Sequence, residues 1–127
     1  MFTRINFQSI PVDDQQRALE FYRDKMGMTV QTDVPYGDNF RWIFLQIDGA
    51  DTLLHFARRT EIAVSDIPAL CLICDDVDAE TARLRACNVT VDEGPDDAPW
   101  QPGVRWSLIR DSENNLILIQ SSIHEGA

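Results

Sequence analysis

The sequence predicts an α+β fold made of two copies of one βαβββ module, at about residues 1–58 and 66–122. Three observations predict it. Short stretches alternate apolar and polar residues, as strands with one buried face do. Two longer stretches repeat their apolar residues at helical spacing instead. These stretches follow one another as strand, helix and three strands in each half of the chain, whose 127 residues have the length of a single domain.

The first module begins with a predicted strand at residues 3–12 and a predicted helix at residues 14–26. Asp13 is the expected N-cap of this helix, because its side chain accepts hydrogen bonds from the free amides of a first helical turn. Gly27 suits the helix stop, since glycine readily adopts the left-handed conformation. Three further strands are predicted at residues 28–34, 40–47 and 52–57, the last two as a hairpin.

The second module repeats this pattern after a connection at residues 58–68. It has a predicted strand at residues 69–74 and a predicted helix at residues 77–86. A short strand at 89–92 is followed by a loop with three prolines and a tryptophan, EGPDDAPWQPG, at 93–103. A final hairpin is predicted from the strands 104–109 and 116–121, and the tail after Ser122 is expected to fray.

Four segments of the first half recur in the second half in the same order. The offset between paired segments varies only from 61 to 64 residues, and loop insertions would explain this drift. The pairs are Val12-Asp13-Asp14 with Cys74-Asp75-Asp76, Gly27-Met28-Thr29-Val30 with Asn88-Val89-Thr90-Val91, Phe40-Arg41-Trp42 with Val104-Arg105-Trp106, and Leu53-Leu54-His55-Phe56 with Leu116-Ile117-Leu118-Ile119. One such match arises easily by chance, but four in order indicate a duplicated module.

The three cysteines do not make a disulfide framework. Cys71 and Cys74 have CxxC spacing, but they lie in an apolar run that is typical of a strand. Side chains three residues apart on a strand point to opposite faces, which disfavours a shared metal or a redox pair. We expect Cys71, Cys74 and Cys87 to be small buried residues.

The net charge of −10 argues against nucleic-acid binding, which depends on cationic contacts to phosphate. It permits a cationic ligand, and solubility explains it equally well. No apolar run is long enough to cross a bilayer, and the first residues, MFTRINF, lack the apolar core of a secretory signal. We therefore expect a cytoplasmic protein that contacts neither nucleic acid nor membrane.

The paired modules, the segment IPVDDQQRALEFYRDKMGMTV and the late segment RDSENNLILIQ resemble the vicinal oxygen chelate superfamily. That superfamily includes glyoxalase I, extradiol dioxygenases, fosfomycin resistance proteins and bleomycin resistance proteins. The resemblance covers nearly the whole chain, although RDSENN departs from the commoner DPDGN form of that turn. It implies a curved mixed sheet around a cavity, with helices on the outer face, and a homodimer.

The family's usual chemistry uses a divalent metal as a Lewis acid, held by His, Gln or Glu from four strands. The resemblance places these ligand positions at Phe7, His55, Ala69 and Leu118. Of the four, only His55 can coordinate a metal. Two alternatives stay open: a one-residue shift of the first strand brings Gln8 to the ligand position, or His55, Cys71 and Gln120 form an improvised set. We predict no metal and no other cofactor.

Without a metal, the cavity that the resemblance implies is mainly apolar and aromatic, as small-molecule sites usually are. The expected ligand-binding residues are Phe7, Trp42, His55, Trp100, Arg105, Trp106 and Leu118. Indoles stack well on planar or cationic ligands, and Trp100 lies in the proline-rich loop. Alternative roles are a place in the outer core for Trp42 and Trp106, and a surface ion pair for Arg105. His55 is either a buried histidine bonded to a neighbour or a group that contacts ligand.

Three hypotheses for function follow. The first is a binding protein that sequesters a small planar or cationic molecule, as bleomycin resistance proteins do. The alternative is a metal-dependent lyase, isomerase or dioxygenase of the same superfamily with unusual ligands. The third is a dimeric scaffold without a small ligand. We rank them in this order, because most of the metal positions are occupied by side chains that cannot coordinate.

Overall fold

The computed structural model describes residues 1–59 and 66–122 of the chain. Its Cα positions divide into two compact units, Met1–Ile62 and Ala63–Ala127. Each unit contains one four-stranded sheet and one helical segment in the order βαβββ, so the predicted α+β fold of two repeated modules is confirmed. Most of the predicted connection at 58–68, and the tail from residue 123 on, lie outside the described residues. Within the described part, no helix is long and apolar enough to cross a membrane.

The first unit has the strand order β1-β4-β3-β2, with β1 parallel to β4 and the other neighbours antiparallel. Its elements are β1 (Phe7–Val12), α1 (Gln15–Glu20) continued by a π-helical turn (Phe21–Lys25), β2 (Thr29–Pro35), β3 (Arg41–Gln46) and β4 (Leu53–Arg58). The first strand begins at Phe7 rather than at residue 3 as predicted. Its hydrogen-bonding neighbour β4 begins only at Leu53, which pairs with Phe7, and Ile5 before it is 65% exposed.

The N-cap of α1 is Asp14, so the prediction of Asp13 is wrong by one residue. The backbone amide of Arg17 donates to Asp14 Oδ1 at 3.0 Å, as the amide of a first helical turn does to its cap. The carboxylate of Asp13 instead forms an ion pair with Arg59, with Oδ2 3.2 Å from Nε. Either aspartate could cap the helix by its chemistry, and the ion pair of Asp13 with Arg59 leaves Asp14 as the cap.

In the first unit, α1 and the π-helical turn pack against one face of the sheet. Ile10 and Phe56 are neighbours on β1 and β4 and are both 0% exposed. The Phe56 ring has its centroid 5.7 Å from that of Tyr22, which is also fully buried. Because successive side chains on a strand alternate between faces, Ser9 and His55 face away from α1.

The second unit has the corresponding strand order β5-β8-β7-β6, with β5 parallel to β8. Its elements are β5 (Leu70–Ile73), α2 (Val77–Ala86), β6 (Val91–Asp97), β7 (Arg105–Arg110) and β8 (Leu116–Gln120). The helix begins and ends where the sequence predicts. Its N-cap Asp76 accepts from the Ala79 amide at 3.0 Å. Asn88 ends it with φ +66°, and the Val89 amide donates to the Leu84 carbonyl at 3.0 Å, as in a Schellman motif.

The two helices differ in length by one residue, and the first holds the extra residue in its π-helical turn. The stop Gly27 comes thirteen residues after the cap Asp14, whereas Asn88 comes twelve residues after Asp76. In the first helix the Met26 amide donates at 3.2 Å to the carbonyl five residues before it, which is the hydrogen bond of a π-helix. The offset between the two modules therefore falls from 62 residues at the caps to 61 at the stops inside a helix, and not in a loop as expected.

The strand β6 is longer than predicted, because the chain continues as a strand to Asp97 through residues that the sequence assigns to a loop from Glu93. Its pairing with β7 shifts register twice, and such irregular positions tolerate proline within a strand. Gly94 has φ +83°, and a Cβ at this residue would lie 2.6 Å from the carbonyl oxygen of Trp106. A close approach of two backbones therefore fixes glycine here.

The core of the second unit contains a fully buried polar pair between its helix and its sheet. Thr81 of α2 and Ser107 of β7 are both 0% exposed, and their hydroxyl oxygens lie 2.8 Å apart. Leu84, Ile109 and Ile117 are also 0% exposed. The Thr81–Ser107 hydrogen bond thus joins the helix to the face of the sheet that α2 covers.

Candidate functional site

The side chains that face away from α1 in the first unit gather around His55 in β4. The strand register places Ser9 of β1 and Phe44 of β3 directly beside His55. Phe7 and Trp42 lie two residues from Ser9 and Phe44 along their strands, so they share this face. We call Phe7, Trp42, Phe44 and His55 the aromatic face.

The four rings of the aromatic face are in mutual contact. The imidazole centroid of His55 lies 4.5 Å from that of Trp42 and 5.2 Å from that of Phe7. Phe44 makes edge-to-face contacts with Phe7 at 5.1 Å and with Trp42 at 5.3 Å, and such pairs contribute about 0.5–1.5 kcal/mol each beyond their buried area. Phe7 and Trp42 are only half-buried, so the face is accessible at one side. Tyr36, which is 63% exposed, extends it with its ring 5.5 Å from Trp42.

His55 is buried, with 7% of its surface exposed. Its Nδ1 lies 2.9 Å from Ser9 Oγ, whereas its Nε2 is buried and has no hydrogen-bond partner among residues 1–59 and 66–122. A buried polar atom without a partner costs about 1–3 kcal/mol, and such atoms are rare in folded proteins. Burial also lowers the pKa of the imidazole below its ordinary value of 6.5, so the ring is neutral at pH 7. The structure shows the first of the two sequence-based interpretations of His55, a buried histidine bonded to a neighbour through Nδ1, while its contact with a ligand stays a prediction.

The equivalent face of the second unit is aliphatic where the first is aromatic. Leu118, the counterpart of His55, lies opposite Leu108 and beside Cys71. Trp106 occupies the place of Trp42, and its ring contacts that of Trp100 at 5.8 Å. Trp100 is 53% exposed, and the Trp106 indole Nε1 donates to the carbonyl of Asp97 at 3.2 Å. In the second unit, Trp100 contacts Trp106, and Leu118 lies on the same sheet face as Trp106. In the first unit, Phe7, Trp42 and His55 are in mutual contact.

The three cysteines are free, and the expectation that they are buried is wrong for each of them, most clearly for Cys71, which is exposed. Cys71 lies on β5, an edge strand of its sheet, and on the face turned away from α2. Cys74 and Cys87 are half-buried. The apolar run ALCLIC does not indicate that its strand lies at the edge of the sheet, where Cys71 is open to solvent.

The repeat-related arginines lie on the helix side of their sheets, away from the tryptophans that follow them. Arg105 contacts Asp78 Oδ1 at 2.6 Å and Asp97 Oδ1 at 3.2 Å. Arg41 forms two hydrogen bonds with Asp33, at 2.6 and 3.0 Å, and its guanidinium holds the pKa of that carboxyl below its usual value. An acidic ligand group at Arg105 would compete with two carboxylates that are already in place.

The residues at the family's metal positions do not fit a metal. Phe7, Ala69 and Leu118 have no donor atoms, and only His55 does. The alternative with Gln8 fails as well, because Gln8 pairs with Leu54 and therefore lies on the other face of the sheet from His55. In the described part of the chain, no three His, Cys, Asp or Glu side chains are grouped as a metal site requires. We derive no metal-dependent step for this chain.

Sequence reasoning missed two members of this site. Phe44 follows Trp42 by two residues on the same strand, so a period-two analysis of β3 anchored on Trp42 would have found it. Tyr36 lies in the turn PYGDN, where no periodicity applies, and only the fold brings its ring to Trp42. Ser9, which the strand pattern does place on this face, has the hydrogen bond to His55 that gives the site its polar contact.

The fold and the two repeated faces define a member of a family of paired βαβββ proteins, and the comparisons agree. The sequence profile of the Glyoxalase/Bleomycin resistance protein/Dioxygenase superfamily matches residues 4–119. The chain belongs to this superfamily. The resemblance that the sequence suggested is thereby confirmed.

Three relatives show how the chain relates to known members. It is 37% identical to the uncharacterized protein YurT of Bacillus subtilis (strain 168) over 103 residues, which cover 72% of this chain and 80% of YurT. It is 33% identical to the crystal structure of TnmS3, an antibiotic binding protein from Streptomyces sp. CB03234, with a TM-score of 0.80 and coverage of 94% of this chain and 96% of TnmS3. A glyoxalase/bleomycin resistance protein from the same Streptomyces strain is 34% identical, with a TM-score of 0.72 and coverage of 91% and 98%.

Proposed function

We propose that this protein binds a small planar or cationic aromatic molecule noncovalently and sequesters it without chemical conversion. The observation that carries the proposal is the aromatic face of the first unit. Its rings contact one another, and two of them, Phe7 and Trp42, are partly open to solvent. An accessible indole beside a few polar groups is the usual composition of a site for a flat ligand.

Charge and the second unit support the same proposal. The net charge of −10 favours the approach of a cation, and an indole face attracts a cation by its quadrupole. The pair Trp100 and Trp106 offers a second stacking surface of the same kind. Leu118 adds apolar surface on the face that it shares with Trp106.

The relatives support binding rather than catalysis. TnmS3, an antibiotic binding protein, shares 33% of its residues with this chain over nearly the full length of both. We therefore propose an antibiotic-like ligand of natural-product type. The metal-dependent alternative has less support, because three of its four ligand positions carry side chains that cannot coordinate.

Titration of two probes by tryptophan fluorescence and calorimetry tests the proposal: 2-naphthol, which is planar and neutral, and 1-methylquinolinium, which is planar and cationic. We expect saturable binding of at least one. Trp42→Ala should weaken it about 10-fold, the effect of losing a stacked ring worth roughly 1–1.5 kcal/mol. Phe2→Ala is the matched control, since Phe2 is a fully exposed aromatic residue of the same unit.

The proposal fails if neither probe binds saturably, or if Phe2→Ala weakens binding as much as Trp42→Ala does. Trp106→Ala then tests the second unit separately, and an undiminished affinity would remove Trp100 and Trp106 from the site. Arg105→Ala should leave the affinity for both probes unchanged, because its guanidinium is engaged by Asp78 and Asp97.

We also propose that the protein is a cytoplasmic homodimer, as the family resemblance implies. Size-exclusion chromatography with light scattering tests the dimer, for which the mass should be twice the 14.5 kDa of one chain. A monomer mass at micromolar concentration would remove this part of the proposal without affecting ligand binding.

A further inference from the structure

The aromatic face encloses one polar atom that the fold leaves unused. His55 Nε2 is buried and has no hydrogen-bond partner among the residues that the structure describes. The other ring nitrogen is engaged by Ser9 Oγ at 2.9 Å, which fixes the orientation of the imidazole. Nε2 therefore cannot be satisfied by turning the ring without breaking the contact with Ser9.

The neighbours of His55 on this face do not supply a partner. Phe7, Trp42 and Phe44 contact the imidazole with their rings at centroid distances of 4.5–5.4 Å. No heavy atom of the two phenyl rings can hydrogen-bond in the ordinary sense, and the indole nitrogen of Trp42 is not bonded to Nε2. Of these rings, Trp42 is nearest to His55 and is itself half-buried, so one edge of this cluster is open to solvent.

This geometry specifies more about the ligand than that it is flat. We infer that the ligand carries a polar ring substituent, a hydroxyl or carbonyl oxygen, which hydrogen-bonds to His55 Nε2 after the side chains that cover this nitrogen have moved aside. The inference rests on the proposed function, because it concerns a ligand of the same face. Binding of such a ligand exchanges an unpaired buried nitrogen for a paired one, an advantage that a plain hydrocarbon ring does not have.

The tautomer of His55 decides which kind of oxygen fits. If the Ser9 hydroxyl donates to Nδ1, then Nε2 carries the proton and requires an acceptor on the ligand. If Nδ1 donates to Ser9, then Nε2 is the acceptor and requires a donor. A phenolic hydroxyl both donates and accepts, so it satisfies Nε2 in either tautomer and is the appropriate probe.

The experiment compares the affinities for 2-naphthol and for naphthalene, which differ only by this hydroxyl group. We expect the wild-type protein to prefer 2-naphthol, and this preference to fall about 10-fold in His55→Phe, the effect of one hydrogen bond. Phe replaces the imidazole with another ring and so preserves the packing of the face. Phe7→Leu is the matched control, since it should weaken both probes together and leave their ratio unchanged.

Equal affinity of the wild-type protein for both probes overturns the inference and leaves the proposed function standing. An unchanged preference in His55→Phe overturns it as well. Failure of both 2-naphthol and naphthalene to bind overturns the inference, and only a further failure of 1-methylquinolinium to bind refutes the proposed function as well.

A measurement on the wild-type protein keeps the test valid if His55→Phe does not fold. The sequence contains two histidines, His55 and His124, so the ¹⁵N resonances of the His55 ring are readily assigned. Saturation with 2-naphthol should shift the Nε2 resonance in the direction that formation of a hydrogen bond causes. Saturation with naphthalene should not cause this shift. An Nε2 resonance that responds identically to the two probes overturns the inference.

Discussion

Replacement of Gly94 by alanine tests whether the close approach of β6 and β7 is a requirement of the fold. A Cβ at residue 94 would lie 2.6 Å from the carbonyl oxygen of Trp106 and 2.9 Å from the Cα of Ser107. Both are backbone atoms, so no side-chain rotation relieves the contact. Gly94 also has φ +83°, a conformation that is unfavourable for any residue with a Cβ.

Two contributions make up the expected cost of Gly94→Ala. The left-handed backbone costs an alanine roughly 1–2 kcal/mol. Forcing a methyl group into a packed backbone costs a further 1–3 kcal/mol, roughly as overpacking does elsewhere. We therefore expect a loss of about 2–5 kcal/mol in the free energy of unfolding. Gly103→Ala supplies the matched control, because Gly103 has φ +85° and no atom within 4 Å of its would-be Cβ.

Urea unfolding followed by circular dichroism measures both variants. With a steric cost of about 1–3 kcal/mol and a denaturant dependence of about 1–3 kcal/mol per molar urea, Gly94→Ala should lower the midpoint by roughly 0.3–3 M beyond the shift of Gly103→Ala. Equal midpoints for the two variants would refute the reasoning, since only the steric contact distinguishes them.

Four further predictions concern other parts of the molecule. Thr81→Val should cost about 1–3 kcal/mol in urea unfolding, because it leaves the buried Ser107 hydroxyl without its partner, and adding Ser107→Ala should cost little more. Asp14→Ala and Asp76→Ala should each cost about 1 kcal/mol, because each removes an N-cap. Stability should fall as the pH is lowered from 7 through 6.5, because burial lowers the pKa of folded His55 below the 6.5 of an exposed histidine and the unfolded chain therefore takes up the proton first. Protein equilibrated with zinc, nickel, manganese or iron(II) and then desalted should retain almost no metal, since a stable site needs several donors.

Each of these predictions has a specific control. Thr81→Ser retains the hydroxyl and should cost less than Thr81→Val. Asp75→Ala removes the aspartate beside the second cap and should leave helix content unchanged. His55→Gln should abolish the part of the stability loss between pH 7 and 5 that His55 causes. If stability depends on pH equally in this variant and in the wild-type protein, another group causes the loss. About one metal ion per chain would show that our assignment of ligand positions is wrong.

Local chemistry predicted much of the fold. The helix α2 begins and ends at the residues that the sequence predicted, and its cap Asp76 and stop Asn88 each act within a single turn of backbone. The duplicated module was recognisable because cap, stop and strand segments recur at similar offsets. The limits of β6 were not predictable, since a glycine and a proline are typical of loops. Only the pairing with β7 makes this segment a strand.

For the candidate site, the sequence predicted which residues lie together better than it predicted the contacts between them. The repeat and the resemblance identified Phe7, Trp42 and His55, which the structure brings together in the first unit. The predicted site also included Arg105, which follows the repeat, but alternation along β7 places it on the helix side of the sheet. Which partner a histidine nitrogen has depends on the register of three strands, and no local pattern in the sequence encodes that register.

The π-helical turn at Phe21–Lys25 bears on how the two halves diverged after duplication. An inserted residue normally displaces everything that follows it or enlarges a surface loop. Here the widened turn absorbs one residue while the helix still starts at its aspartate and stops at its left-handed residue. The gap in an alignment of the two halves therefore belongs inside the first helix. Deletion of one residue from Phe21–Lys25 would give the first helix the length of the second. Its cap Asp14 and its stop Gly27 would both be retained.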